Sequence, residues 1–207
     1  MAYSLILGVM TETSFILLVT YALCKNAYVD ENRIHPFDLK RYLIMILAFS
    51  ISGIVTTHYL GVSVGDQASI NMIDVPAMFA GLIGGPIVGL PTGILIGLDR
   101  YLVGDASALA CALGPIIASI LGSIMWYVLG KKYPVLPLTV LLMCFSEMLH
   151  IIMVIFFSSE GRGSEISHDI AVPMVLCNVV CIAIISYIYR TKLRDVMRDN
   201  NRYRKFE

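Results

Sequence analysis

Residues 71–111 read NMIDVPAMFAGLIGGPIVGLPTGILIGLDRYLVGDASALAC, and the reading of this stretch decides the fold. It is apolar enough to enter a bilayer, yet Gly81, Gly84, Gly85, Gly89, Gly93 and Gly97 interrupt it, as do Pro76, Pro86 and Pro91. Both residue types weaken a helix in water. In lipid they are tolerated where neighbouring helices or a water-lined cavity satisfy the freed backbone groups. Glycines at 81, 85, 89, 93 and 97 recur every four residues and fall roughly on one helical face, so a second helix is expected to approach closely there. The stretch closes on Asp99-Arg100, a charged pair near membrane depth. A broken, closely packed helix ending on an arginine is a place to hold a small anion.

The rest of the chain has the same character. Of 207 residues, 57% are hydrophobic and 14% charged, and the mean hydropathy is +0.79. That excludes an ordinary soluble domain and predicts an all-α, polytopic membrane helix bundle. Runs long enough to cross a bilayer lie at 3–24, 41–62, 107–129, 135–157 and 169–189, with the glycine-rich 74–98 as a sixth. The first run has no basic n-region or small-residue cleavage site and is expected to stay in the mature protein. The cysteines (Cys24, Cys111, Cys144, Cys177, Cys181) sit within or at the ends of apolar runs, without a CxxC or Cys/His cluster. Packed free thiols are therefore expected rather than zinc or disulfides. No metal, cofactor or nucleic-acid partner is expected.

Lys and Arg cluster in three places: Lys25, Arg33, Lys40 and Arg41; Lys131 and Lys132; and a tail carrying Arg190, Lys192, Arg194, Arg198, Arg202, Arg204 and Lys205. The loop at 62–74 holds Asp66 and Asp74 and no Lys or Arg. Two arrangements of 5–6 transmembrane helices follow. If 74–98 crosses fully, the first basic loop lies opposite the tail. If it is re-entrant and returns to its starting side, five crossings remain and every basic cluster is cytoplasmic. The positive-inside rule favours the second, and either arrangement puts the tail in the cytoplasm.

Polar groups inside the apolar runs are the next candidates, because intramembrane ionisable residues must be paired, neutral or facing a cavity. Glu12 sits mid-helix among Thr11, Thr13 and Ser14, either as a cross-helix hydrogen bond or as part of a ligand site. His58 is expected at the interface. The segment GVSVGDQASIN after it reads as a flexible outer loop, and Asp105 or Ser107 can cap the helix that follows. Glu147 and His150, three positions apart, share a helical face and can pair, as a structural or a functional couple. Pro173 and Asn178 lie on the outer half of the last helix, where Asn178 can bond across helices or line the cavity of Glu147.

The run AGLIGGPIVGLPTGILIGLDRYLVGDASALAC resembles the central signature of the LytS-type sensor-kinase transmembrane region, a five-transmembrane receptor module. Glu12, Gly61, Glu147 and Ile170-Ala-Val-Pro-Met174 with Asn178 are similar to other positions of that family, so the resemblance covers essentially the whole chain. It implies a transmembrane receptor domain over 1–190 with a basic cytoplasmic tail over 191–207, in the cytoplasmic membrane. It also implies a non-enzymatic sensor input that binds a small solute, such as a carboxylate, and signals to a cytoplasmic histidine kinase or other output protein. A homodimer remains open. The module is also similar in character to the substrate-binding S components of energy-coupling-factor transporters, which is the alternative function. The ligand-binding candidates are Arg100, Cys111, Asn71, Asp74, Gly84, Gly85, Glu147, Glu12 and Asn178. One departure bears on the ligand: Asn71-Met72-Ile73-Asp74 lacks the arginine that relatives commonly carry in their N-x-R stretch. A two-arginine clamp on a carboxylate is thereby lost, and a neutral or cationic ligand becomes an alternative. Gly114, where some relatives have a hydroxyl residue, points the same way. No histidine box, ATP lid or GGDEF-like run is present, so no kinase activity is expected of these residues.

Overall fold

The computed structural model describes residues 2–25, 39–64, 68–104, 106–158, 161 and 163–203. Arg33, Asp66, Asp105, Arg204 and Lys205, on which parts of the charge and capping arguments rest, lie outside the described residues. Among the described residues there are six α-helices: α1 (Ala2–Lys25), α2 (Leu39–Val55), α3 (Asp74–Val103), α4 (Ala108–Val128), α5 (Leu136–Phe157) and α6 (Gly163–Tyr203). A π-helical turn, Thr56–Leu60, extends α2. The segment expected to be a flexible loop instead contains a hairpin, in which β1 (Val62–Val64) pairs antiparallel with β2 (Ala68–Ile70). Its Val-Ser-Val and Ala-Ser-Ile runs supply the β-branched residues that favour strands.

Among the described residues, five helices are long and apolar enough to cross a membrane: α2 with its π turn, α3, α4, α5 and residues Ile170–Lys192 of α6. The apolar part of α1, Met10–Leu23, is shorter. Leu18, Leu47, Ile124, Leu141 and Phe156 point outward and exposed, as residues solvated by lipid tails would. The protein is a multi-pass membrane bundle. Its centre is α3, whose apolar window is 61% buried, against 56% or less for the other spans.

Within α3, Gly85 leaves the helix at φ 61°, ψ −159°. That region is open essentially to glycine alone. Pro86 follows; it lacks an N–H and suits the first turn of a new helix. The two arms, 74–84 and 86–103, then fold back on each other. A Cβ placed on Gly89 would lie 2.7 Å from the Gly81 Cα, eight residues earlier, a closeness no straight helix allows. Contacts with α4 agree. The second arm runs antiparallel to it, with Gly89 at Ser123, Gly93 at Pro115 and Ser119, and Gly97 at Ala112 and Ile116. The first arm runs parallel to it, with Asp74 at Gly114 and Met78 at Gly122. The glycine periodicity is thus divided between two arms rather than lying on one helix, although Gly81, Gly89, Gly93 and Gly97 all face α4. The segment returns to its starting end.

Five residues on from Asp74, aromatic rings tie the elements together. Phe79 of the first arm packs edge-on against Phe49 of α2 (5.8 Å), Tyr133 (5.8 Å) and Tyr189 of α6 (5.5 Å). Tyr133 and Ser186 share a hydrogen bond of 2.7 Å, and Arg190 Nη1 donates to the Pro134 carbonyl at 2.6 Å. Trp126 covers the Gly85 turn, where an added methyl would come within 2.6 Å of its ring.

The close approach of α3 and α4 yields a direct test. A methyl on Gly81 would meet the Ser119 carbonyl at 2.6 Å and the Ser123 amide at 2.8 Å, both backbone atoms. Gly81→Ala is expected to destabilise by about 1–3 kcal/mol through overpacking. At Gly61 the nearest atom would be 3.4 Å away, so Gly61→Ala should melt with the wild type. Thermal melts in detergent distinguish them, and equal melting of all three proteins would remove the contact.

Candidate ligand site

Three residues, Asn71, Met72 and Ile73, lead from the hairpin into the bundle, and all are buried before α3 begins. Their backbone would be stranded there without a partner. The Glu12 carboxylate supplies one: the Met72 N–H donates to Glu12 Oε2 at 2.7 Å. The mid-helix carboxylate of α1 therefore anchors the entry to α3. Asp74 opens the first turn of α3, where the helix dipole favours a negative charge.

Asp74 Oδ2 lies 2.7 Å from His150 Nδ1 of α5, with side chains 1% and 3% exposed. Glu147, one turn earlier on α5, faces the same point. One donor atom from each of Asp74, Glu147 and His150 falls within 4.8 Å of the others. The shared face expected of Glu147 and His150 is present, but His150 hydrogen-bonds to Asp74 rather than to Glu147. Gly114 of α4 makes room for them. A Cβ there would sit 2.6 Å from His150 Nδ1 and Cε1, and 2.9 Å from Asp74 Oδ1.

Arg100, 1% exposed, donates from Nη2 to Ser107 Oγ at 3.4 Å. Cys111 Sγ donates to the same oxygen at 3.4 Å and lies against His150. Ser107 stands at the N-cap position of α4 but makes no side-chain cap; its hydroxyl joins Arg100 to Cys111 instead. Asp99, the neighbour of Arg100, meets His58 Nε2 through Oδ1 at 3.0 Å.

Of the residues singled out by sequence, Arg100, Cys111, Asp74 and Glu147 therefore converge, joined through Ser107 and His150. Asn71 is buried beside them in the chain, and Glu12 connects through Met72. Gly84 and Gly85 do not join this group. They form the α3 turn against Trp126, which lies fifteen residues along α4 from Cys111, about 22 Å of helix. Asn178 is buried, but its Nδ2 donates within its own helix, to Met174 O at 3.1 Å, and not across helices. Cys111, Cys144, Cys177 and Cys181 are free thiols. Sequence reasoning missed Ser107 as a junction and Asp74 as the partner of His150. Only the Glu147/His150 spacing hinted at the latter, because the partners lie 76 residues apart.

A family described as the 5TMR of 5TMR-LYT matches residues 27–192. Among curated relatives, the sensor protein LytS of Bacillus cereus is 30% identical over 172 residues, which is 74% of this chain and 27% of the relative. The sensor histidine kinase BtsS of Escherichia coli K12 is 26% identical over 92% of this chain and 35% of its own length. The sensor histidine kinase/phosphatase LytS of Staphylococcus aureus Mu50 is 25% identical over 92% and 36%. The chain thus spans about a quarter to a third of these relatives. No solved structure matches it. A buried glycine-proline hairpin, an enclosed arginine and a match over most of its length agree: the chain belongs to the LYT five-transmembrane receptor family, the membrane sensor region of LytS-type histidine kinases.

Proposed function

We propose that the chain is a ligand-responsive input module. A small solute binds beside Arg100 and Cys111, and the resulting shift in helix packing passes through α6 to a cytoplasmic kinase or other output protein. The observation that carries this reading is the first arm of α3. Asp74, in the polar cluster, and Phe79, against Tyr189 of α6, lie five residues apart on that one short helix. A displacement of Asp74 by a ligand would move Phe79, and with it the point from which α6 continues to Tyr203. A ligand biases such an equilibrium only by binding one packing better than the other. The buried Asp74 and Glu147 carboxyls beside the site favour a neutral or cationic solute, or one whose negative charge is met by Arg100. The module's role is to bind and relay, not to catalyse.

Two tests follow. In a thermal-shift screen of carboxylates, amino acids and vitamins on the purified chain, a stabilising solute is expected, and Arg100→Ala should lose that shift. Phe79→Ala should keep it, yet silence signalling when the chain is joined to the kinase region of a LytS-type relative. A hit that persists in Arg100→Ala, or signalling that survives Phe79→Ala, would overturn the assigned roles.

The hairpin form of α3 also supports an orientation with the N-terminus outside and the C-terminus cytoplasmic, because every basic cluster then lies on one side. Lys131 and Tyr59 are exposed at opposite ends of the bundle. In intact cells, a membrane-impermeant thiol reagent should label Tyr59→Cys and spare Lys131→Cys. The reverse pattern would invert the topology.

A further inference from the structure

We propose that Asp74, Glu147 and His150 form a site for a divalent transition-metal ion inside the helix bundle. The inference deepens the receptor reading, on which it rests only for the idea that occupancy of this cluster is signalled.

Four observations carry it. First, one donor atom from each residue lies within 4.8 Å of the others. Donors around a bound Zn²⁺-sized ion, at about 2.0–2.2 Å each, stand roughly 3–4 Å apart, so small side-chain rotations would close the set. Second, both Glu147 carboxylate oxygens, Asp74 Oδ1 and His150 Nε2 have no hydrogen-bond partner among the described residues. These side chains are 0%, 1% and 3% exposed. Third, Glu147 and His150 form a Glu-x-x-His pair on one helix, the spacing by which bundle helices present a carboxylate and an imidazole to one metal. Fourth, Gly114 of α4 keeps the space open, since a side chain there would strike both His150 and Asp74.

Charge gives the same answer. With both carboxyls ionised and the imidazole neutral, the three side chains carry two negative charges inside the bundle, where an unpaired charge is strongly unfavourable. A divalent cation would offset those two charges. Asp74 Oδ2 and His150 Nδ1 already meet at 2.7 Å, so a metal bound through this pair would take the place of the proton they share. Two carboxylates plus an imidazole suit Zn²⁺, Mn²⁺, Fe²⁺ or Co²⁺ better than the all-oxygen preference of Mg²⁺ or Ca²⁺. Three protein ligands also leave coordination positions for water or for a solute oxygen. This departs from the expectation of no metal, which rested on the cysteine pattern and could not see Asp74 meet α5.

The test uses the full, tag-free chain in detergent, stripped with a chelator and re-equilibrated separately with Co²⁺ and Zn²⁺. Metal content by mass spectrometry, Co²⁺ visible absorption and melting temperature are read together. One ion per chain and a metal-dependent rise in melting temperature are expected. Glu147→Gln and His150→Gln should each weaken Co²⁺ binding by at least about tenfold, while Asp99→Asn, at a residue that pairs with His58 and is not one of the three ligands, binds as the wild type does. If wild type takes up no ion, or if both folded Gln variants retain wild-type uptake, the site is refuted. In the former case, stabilisation by organic solutes would leave the receptor reading intact. One bound ion without any change in kinase output would keep the metal site and refute its signalling role.

Discussion

The structure depends on one approach, that of α3 to α4 at backbone distance. A chain that reverses inside lipid exposes peptide groups that no water can satisfy, so the reversal must be enclosed by protein. Gly85 permits the turn and Trp126 covers it, while Gly81, Gly89, Gly93 and Gly97 let both arms lie directly on α4. Without a hydrophobic driving force between helices in lipid, dispersion over such close surfaces is what holds them together. The hairpin is accordingly the most enclosed span of the molecule.

That geometry also explains where the polar groups sit. Because the first arm is short and starts below the hairpin strands, Asp74 is delivered to the interior beside Gly114 and His150. The second arm returns Arg100 to Ser107, beside the start of α4. Two polar groups of opposite sign thus meet around Cys111 and His150: a guanidinium joined to hydroxyl and thiol, and a carboxyl pair joined to imidazole. A site of this composition is less suited to a simple anion than one lined by two arginines.

The first arm joins this cluster to the aromatic contacts of Phe79 with Tyr133 and Tyr189. The arm is short and is held by side chains of other helices at its start, through Asp74, and at its middle, through Phe79. Tyr189, which Phe79 touches, belongs to α6, a single 41-residue helix.

The membrane class, the helical architecture and the break at Gly85-Pro86 were legible in the sequence, as was the choice of Arg100, Cys111, Asp74 and Glu147 as candidates, which the structure brings near one another. Each follows from local chemistry: apolar run length, backbone permissiveness, and the rarity of ionisable groups at membrane depth. The sharp reversal of α3, the partner of His150 and the use of Ser107 were not. A glycine-proline step allows a kink of any angle, and only packing against α4 selects the fold-back. Likewise Glu147 offered His150 a partner three residues away, but the tertiary structure brought Asp74 closer from 76 residues away. Sequence determines which groups must find partners inside the bilayer; the packing of helices distant in the chain decides which partners they find.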